Sequence, residues 1–275
     1  MISAIQKQED QTITLTVTIP WTDVKKTKEG IVENFVKNAE ISGFRKGKAP
    51  KKIAEEKIDQ EKIKEETLKK LLPQYYLSAI NEHKINPVVS PRIHVEKLED
   101  GKDWQFIAVT CEAPEIKLGE YKDNIKKITA KSKIIIPGKE QPQVSFDDIV
   151  KELLASIEVK IPRIIIESEV ERLLSQTLDE VKKLGLTLDQ YLGSTGRTAD
   201  DLRKEYEQKA EGDVKLEFIL QKIAATEHIA IEDKEVEEAI LQAKSEAERK
   251  NLQANRYLLA SILRQQKTLD FLKNL

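Results

Sequence analysis

A short segment, residues 41–50, concentrates the side chains of this chain that could bind a partner. It reads Ile-Ser-Gly-Phe-Arg-Lys-Gly-Lys-Ala-Pro, and no acidic residue occurs from position 41 to position 54. Arginine and lysine pair with phosphates or carboxylates, and Phe44 would add a small apolar contact. Gly43 and Gly47 permit backbone angles that other residues avoid. The sequence therefore predicts an exposed basic loop offered to a partner. The alternative, left open here, is a solvated loop with Phe44 folded back onto its own helices.

Strands and helices are predicted on both sides of this loop. Residues 12–19 alternate strictly between threonine and apolar side chains, which is typical of a strand with one buried face. Apolar residues at spacings of three and four indicate amphipathic helices further on. The Glu-Asp-Gly-Lys sequence at 99–102 favours a hairpin turn. The expected strands are 12–19, 85–98 and 104–112, and the expected helices are about 24–39, a short one from Pro50, and 60–84.

The segment Gly43-Phe44-Arg45-Lys46-Gly47-Lys48-Ala49-Pro50 resembles the signature of trigger factor, a bacterial chaperone that docks beside the ribosomal exit tunnel. The resemblance implies that this segment contacts a ribosomal protein at the tunnel exit and the adjacent ribosomal RNA. It also implies nascent and unfolded polypeptides as partners. The site residues predicted in this way, which we call the basic tip, are Gly43, Phe44, Arg45, Lys46, Gly47, Lys48 and Pro50.

From Ser145 onward the pattern is helical throughout, with capping boxes predicted at Ser145, Thr187 and Thr198. This half resembles the C-terminal, substrate-cradling domain of the same family. If all its apolar stripes pair internally the helices form a closed bundle, whereas splayed helices would leave a stripe facing a solvent-filled cleft. The residues alone leave both arrangements open. Two stripes need partners: Leu173/Leu174/Leu178/Val181 and Leu258/Leu259/Ile262/Leu263.

The expected organisation has three parts. Residues 1–112 form an α+β domain with helices on an antiparallel sheet and a helix–basic loop–helix tip, which the resemblance identifies as ribosome-binding. Residues 113–144, interrupted by prolines and glycines, form an extended linker. Residues 145–275 form an all-α domain with long helical arms, which the resemblance identifies as substrate-binding.

Few features of the sequence support an enzymatic function. Trigger factors usually carry a prolyl isomerase domain in the middle of the chain, but about thirty residues at 113–144 are too few to close an independent core. Aromatic residues are widely spaced from position 113 onward, so the clustered prolyl pocket is also missing. Carboxylate groups such as Glu167, Glu169 and Glu171 are expected to be a solvated face. No catalytic residue and no isomerase activity are therefore predicted.

The composition of the chain bears on disulfides, bound metals and cellular location. The 275 residues carry a net charge of −2, with one cysteine and three widely spaced histidines, so neither a disulfide, a metal site nor a cofactor is expected. The N-terminus has no apolar signal core and no apolar run is long enough to cross a membrane, which predicts a cytoplasmic location without membrane contact. An envelope chaperone related to the helical half would need a signal peptide.

The leading hypothesis is thus an ATP-independent chaperone that docks at the exit tunnel and shields apolar nascent segments, with weak self-association away from the ribosome. The alternative is a ribosome-assembly or structural RNA-binding protein whose helical half is a scaffold. Residues 113–275 hold 27 basic against 30 acidic side chains, which argues against extensive RNA contact there.

Overall fold

The computed structural model describes residues 2–38, 60–132 and 145–275. Its chain divides into two compact units, Met1–Ala113 and Pro114–Leu275. The first unit combines an antiparallel sheet with helices, and the second is built from helices. The predicted fold class, an α+β part followed by an all-α part, is confirmed.

Four strands form the sheet of the first unit in the order β1-β2-β4-β3, and every neighbouring pair is antiparallel. Gly101 turns the β3–β4 hairpin with a φ of +86°, a backbone angle at which a Cβ atom would be strained. The first strand was not predicted, because its alternation of apolar and polar residues is short and weak. The strands are β1 (Ile2–Lys7), β2 (Thr12–Ile19), β3 (Arg92–Lys97) and β4 (Trp104–Cys111).

Two helices, α1 (Trp21–Asn38) and α2 (Gln60–His83), pack with one face of this sheet. The alternation of β2 places Ile13, Leu15, Val17 and Ile19 in the core, opposite the buried side chains of β4. Each large apolar side chain buried in this way contributes about 1.5–3 kcal/mol. Helix α1 begins earlier than expected, because the backbone N–H of Val24 already donates to the carbonyl of Pro20.

The helices of the second unit assemble around α7. Helix α5 packs on α7, while α3, α4 and α10 bury Ile125, Ile149, Leu153 and Leu272 against the later turns of α7. The helices are α3 (Tyr121–Ser132), α4 (Phe146–Ser156), α5 (Arg163–Lys183), α6 (Leu188–Thr195), α7 (Ala199–Thr226), α8 (Asp233–Leu241), α9 (Glu246–Ala254) and α10 (Arg256–Lys273).

Local capping signals set several of these helix boundaries. The three predicted capping boxes are confirmed: the side chains of Ser145, Thr187 and Thr198 each accept from the backbone three residues later, and the side chain there bonds back. Gly185 ends α5 with a φ of +74°, and the backbone N–H of Leu186 reaches the carbonyl of Val181.

The extended linker predicted at 113–144 is wrong for part of its length. Residues Tyr121–Ser132 form helix α3, and the remainder from 133 to 144 lies outside the described residues. Tyr121, Ile125 and Thr129 follow one another at a spacing of four, so they share one helix face, and all three are buried. The prolines and glycines that suggested a linker flank this helix without interrupting it.

Candidate functional site

The basic tip at residues 43–50 lies outside the described part of the chain, and the structure shows the helices that flank it. Helix α1 ends at Asn38, helix α2 begins at Gln60, and the two helices pack against each other. In the sequence, the tip lies between these two helices. The binding role of its residues stays a prediction.

Polar contacts fix this helix pair in place. Lys28 Nζ of α1 pairs with Asp100 Oδ1 in the β3–β4 turn at 3.0 Å. The hydroxyl of Tyr75 in α2 donates to Asp23 in the first turn of α1. Burial of the phenol, together with the bond to Asp23, raises the pKa of Tyr75 to about 12. The first half of α1 is thus held against the β3–β4 turn and against the second half of α2.

A groove of about 500 Å³ lies between the parts of α1 and α2 that lead toward the tip. Ile31 and Phe35 supply its apolar surface. Lys69 Nζ lies 3.0 Å from Glu66 Oε1, and this bond raises the pKa of Lys69. The groove therefore combines apolar side chains with lysines, as the sequence of the tip does. The lining residues are Ile31, Asn34, Phe35, Glu66, Lys69 and Lys70.

In the second unit, the two apolar stripes predicted from the sequence differ in how far they are buried. Leu173 and Val181 of the first stripe are buried, and Leu173 packs with Val170 of the same helix and with Ala210 of α7. In the second stripe, Leu258 is 58% exposed and Ile262 is 51% exposed. The first stripe is largely covered apart from Leu178, whereas the second leaves Leu258 and Ile262 on the surface and its other two leucines half-buried.

The neighbouring Tyr257 extends this surface, since its side chain is 91% exposed. We call Tyr257, Leu258 and Ile262 the α10 face. The later part of the same helix is anchored, because Thr268 and Leu272 are fully buried. One helix therefore has a buried end and an apolar end that meets solvent.

Ion pairs hold α8 beside α10. Arg256 at the start of α10 lies 3.2 Å from Asp233 Oδ1 and 3.4 Å from Glu237 Oε1. Further along, Lys267 Nζ lies 2.8 Å from Glu235 Oε1 and donates to the carbonyl of Ala230 at 3.1 Å. Exposed pairs of this kind contribute little stability each. Together they define the position of α8 and the segment before it.

A cleft of about 330 Å³ opens beside the α10 face, and we call it the α10 cleft. One wall is the segment after α7, and the other is the exposed half of α10. Ile229, Ile231 and Ala260 make it partly apolar, while Arg264 adds a positive charge. The lining residues are Gln221, Ile229, Ala230, Ile231, Tyr257, Ala260, Ser261 and Arg264.

Glu167 and Glu169, two of the carboxylates singled out in α5, form ion pairs. Arg172 binds Glu169 Oε1 at 2.6 Å, and Arg163 Nε donates to Glu167 at 3.0 Å. Within the described ranges, no group of three or more His, Cys, Asp or Glu side chains is placed to hold a metal ion. In the same ranges, no helix is long and apolar enough to span a membrane.

Sequence reasoning missed the whole lining of the α10 cleft, including Tyr257 and Arg264. Tyr257 immediately precedes Leu258, the first residue of the predicted stripe, and is not one of its members. Arg264 lies seven residues after Tyr257, a spacing that returns to the same face. This spacing could have identified both as one surface, but not the wall opposite them.

Comparison with known proteins gives matches along the whole chain. The family model of the bacterial trigger factor protein matches residues 1–153. The family model of the trigger factor C-terminus matches residues 122–274. A trigger factor of Staphylococcus epidermidis is 39% identical over 122 residues, which are 44% of this chain and 28% of that protein. A trigger factor of Staphylococcus aureus is 38% identical over the same shares.

The chain thus aligns with less than a third of the length of these relatives. A solved structure of the trigger factor chaperone, described for its promiscuous substrate recognition in folding and assembly, superposes with a TM-score of 0.63. The superposition covers 100% of this chain and 99% of that one, at 13% sequence identity. At that identity the likeness concerns the fold.

Proposed function

The chain belongs to the bacterial trigger factor family, and on that premise we propose that it is an ATP-independent chaperone for newly made polypeptides. The basic tip docks the molecule at the ribosomal exit tunnel, on a ribosomal protein and the adjacent ribosomal RNA. The helical unit then shields apolar segments of the emerging chain. Docking at ribosomes places this activity in the cytoplasm, away from membranes.

The observation that carries the shielding role is the exposed α10 face. Two branched aliphatic side chains and an aromatic one lie on the surface within two turns of a single helix. Contiguous exposed apolar side chains with charged neighbours are typical of interaction surfaces, whereas scattered ones are not informative. Here the charged neighbours are Arg256 and Lys267 with their acidic partners.

Such a surface suits transient binding. Burying one Leu or Ile side chain contributes about 1.5–3 kcal/mol, so a few contacts give a weak complex once the loss of motional freedom is subtracted. Weak complexes dissociate without an energy source. Release in this proposal therefore follows from the competing burial of the client's own apolar side chains as it folds.

Docking is assigned to the basic tip by its residues and supported by its flanks. Arg45, Lys46 and Lys48 supply charge for phosphates or carboxylates, and Phe44 supplies the apolar contact. The groove between the flanking helices is lined by Phe35 and by Lys69, which also pairs with Glu66. An electrostatic contact of this kind weakens as salt is added.

The proposal includes no prolyl isomerase step. The two matched family models, for residues 1–153 and 122–274, overlap between 122 and 153. The chain therefore passes from one matched part to the other without an intervening stretch. Absence of isomerase activity remains a prediction.

Aggregation of a diluted, unfolded client, followed by light scattering without ATP, tests the shielding role. We expect the full chain to suppress scattering, and a Leu258→Ser/Ile262→Ser variant to suppress it several-fold less, because the apolar contact area is reduced. The matched control is Leu77→Ser/Val88→Ser, which alters side chains 58% and 47% exposed in the other unit. Equal suppression by both variants would exclude the α10 face as the shielding surface.

A further inference from the structure

The α10 cleft holds a positive charge that the protein does not neutralise. Arg264 lines the cleft and is half-buried, and among the described residues its guanidinium has no ion pair and no hydrogen bond. The two cations nearest to it along α10, Arg256 and Lys267, are both paired with carboxylates of α8. Lys273, at the end of the helix, lies over the ring of Phe146 at 5.0 Å, so among the described residues Arg264 is the cation lining the cleft that remains available to a ligand.

The acidic side chains around the cleft are already engaged. Glu235 is held by Lys267, which lowers the pKa of its carboxyl group together with the bond from the Glu232 backbone. On the opposite wall, Gln221 donates its amide to Glu217 at 3.2 Å. Among the described residues no carboxylate forms an ion pair with Arg264, so a ligand carboxylate can replace the water at its guanidinium group.

The rest of the cleft offers apolar contacts beside polar groups. Ile229 and Ile231 form one wall, and Ala260 leaves room opposite them on α10. Backbone hydrogen bonds fix that wall, since the N–H of Ile229 donates to the carbonyl of Ala224 at 2.8 Å. The volume of about 330 Å³ is at the lower end of the range for small ligands, about 300–1,000 Å³. It can hold a few side chains of an extended segment.

We infer that the α10 cleft selects client segments in which a carboxylate lies beside apolar side chains, with Arg264 binding the carboxylate. Arginine suits this task because its planar guanidinium binds a carboxylate through two hydrogen bonds. The α10 face continues the apolar contact outside the cleft. The inference rests on the proposed chaperone function and adds a chemical preference to it: acidic-apolar segments over neutral ones of the same shape.

The test uses two fluorescent peptides with one apolar sequence, which carry either Glu or Gln at a central position. Their affinities for the full chain are measured by fluorescence anisotropy, because Gln keeps the shape of Glu and removes its charge. We expect the Glu peptide to bind about fivefold more tightly, which corresponds to a partly exposed ion pair. In an Arg264→Gln variant, the two peptides should bind about equally.

The matched control is Arg249→Gln, which removes an exposed arginine of α9 that does not line the cleft. This variant should retain the preference for Glu. Equal affinities for the unaltered chain would overturn the inference, and so would a preference that persists in Arg264→Gln. If neither peptide binds while the same preparation suppresses client aggregation, the inference fails and the proposed chaperone function stands.

Discussion

Tyr121 donates its hydroxyl to Glu227 Oε1 at 2.8 Å, which joins the start of α3 to the residue that ends α7. The other carboxylate oxygen of Glu227 accepts from Lys122 Nζ at 2.7 Å. Burial and the bond to Glu227 raise the pKa of Tyr121, so the phenol stays a donor over the physiological range. A segment that sequence patterns assign to a linker is therefore tied to the main helix of the second unit.

This contact makes stability depend on pH in a defined direction. The bond from Lys122, followed by that from Tyr121, lowers the pKa of Glu227 in the folded protein. A lowered carboxyl pKa stabilises the fold above the unfolded value of about 4.3, and the contribution is lost as the pH falls through the folded pKa. We expect the free energy of unfolding to fall less steeply between about pH 5 and pH 3 in Glu227→Gln than in the unaltered chain.

Urea unfolding followed by circular dichroism at several pH values measures this difference. The matched control is Glu246→Gln, because Glu246 is exposed and forms no ion pair among the described residues. The control should keep the slope of the unaltered chain. Identical slopes for all three proteins would show that the contact to Glu227 does not persist in solution.

A second prediction concerns the place of α3 in the core. Ile125 has no exposed surface and packs with Ile149 and Leu153 of α4. We expect Ile125→Ala to lower the free energy of unfolding by about 2–5 kcal/mol, because it leaves a cavity in a packed interior. Lys126→Ala alters the exposed neighbour and should stay within about 0.5 kcal/mol. An Ile125→Ala effect as small as that of the control would place residues 121–132 outside the cooperative unit.

Sequence patterns predicted the features that depend on neighbours in the chain. The alternation of residues 12–19 gave β2, and the spacing of Ser145 and Asp148 gave the start of α4. Each of these signals is local, because a strand face or a capping box is completed within a few residues. Helix α3 is different, because two signals in the sequence conflict there. Its buried residues recur every four positions, which predicts a helix, but the flanking prolines and glycines predict a linker.

The candidate site depends more on tertiary contacts. Leu174 and Leu258 have the same kind of apolar spacing, yet one packs against a neighbouring helix and the other is exposed. Periodicity marks a face and does not say what covers it. The unpaired state of Arg264 is also not local, because it depends on which carboxylates Arg256 and Lys267 bind.

A third prediction concerns prolyl isomerisation. The refolding of a client limited by X-Pro isomerisation takes tens to hundreds of seconds without a catalyst. We expect a catalytic amount of the full chain to leave this slow phase unchanged, whereas a known prolyl isomerase in a parallel reaction should accelerate it. A clear acceleration by this chain would contradict this prediction and would require a catalytic site elsewhere in the chain.

Cosedimentation with ribosomes tests the central claim most directly, because it measures the docking itself. We expect the full chain to pellet with ribosomes and a Phe44→Ala/Arg45→Ala/Lys46→Ala variant to lose more than about a hundredfold in affinity, since each contact contributes about 1–3 kcal/mol. The control replaces an exposed leucine, arginine and lysine of the helical unit by alanine, at Leu241, Arg249 and Lys250. The account predicts that the control pellets like the unaltered chain; unchanged pelleting of the tip variant at physiological salt would contradict it.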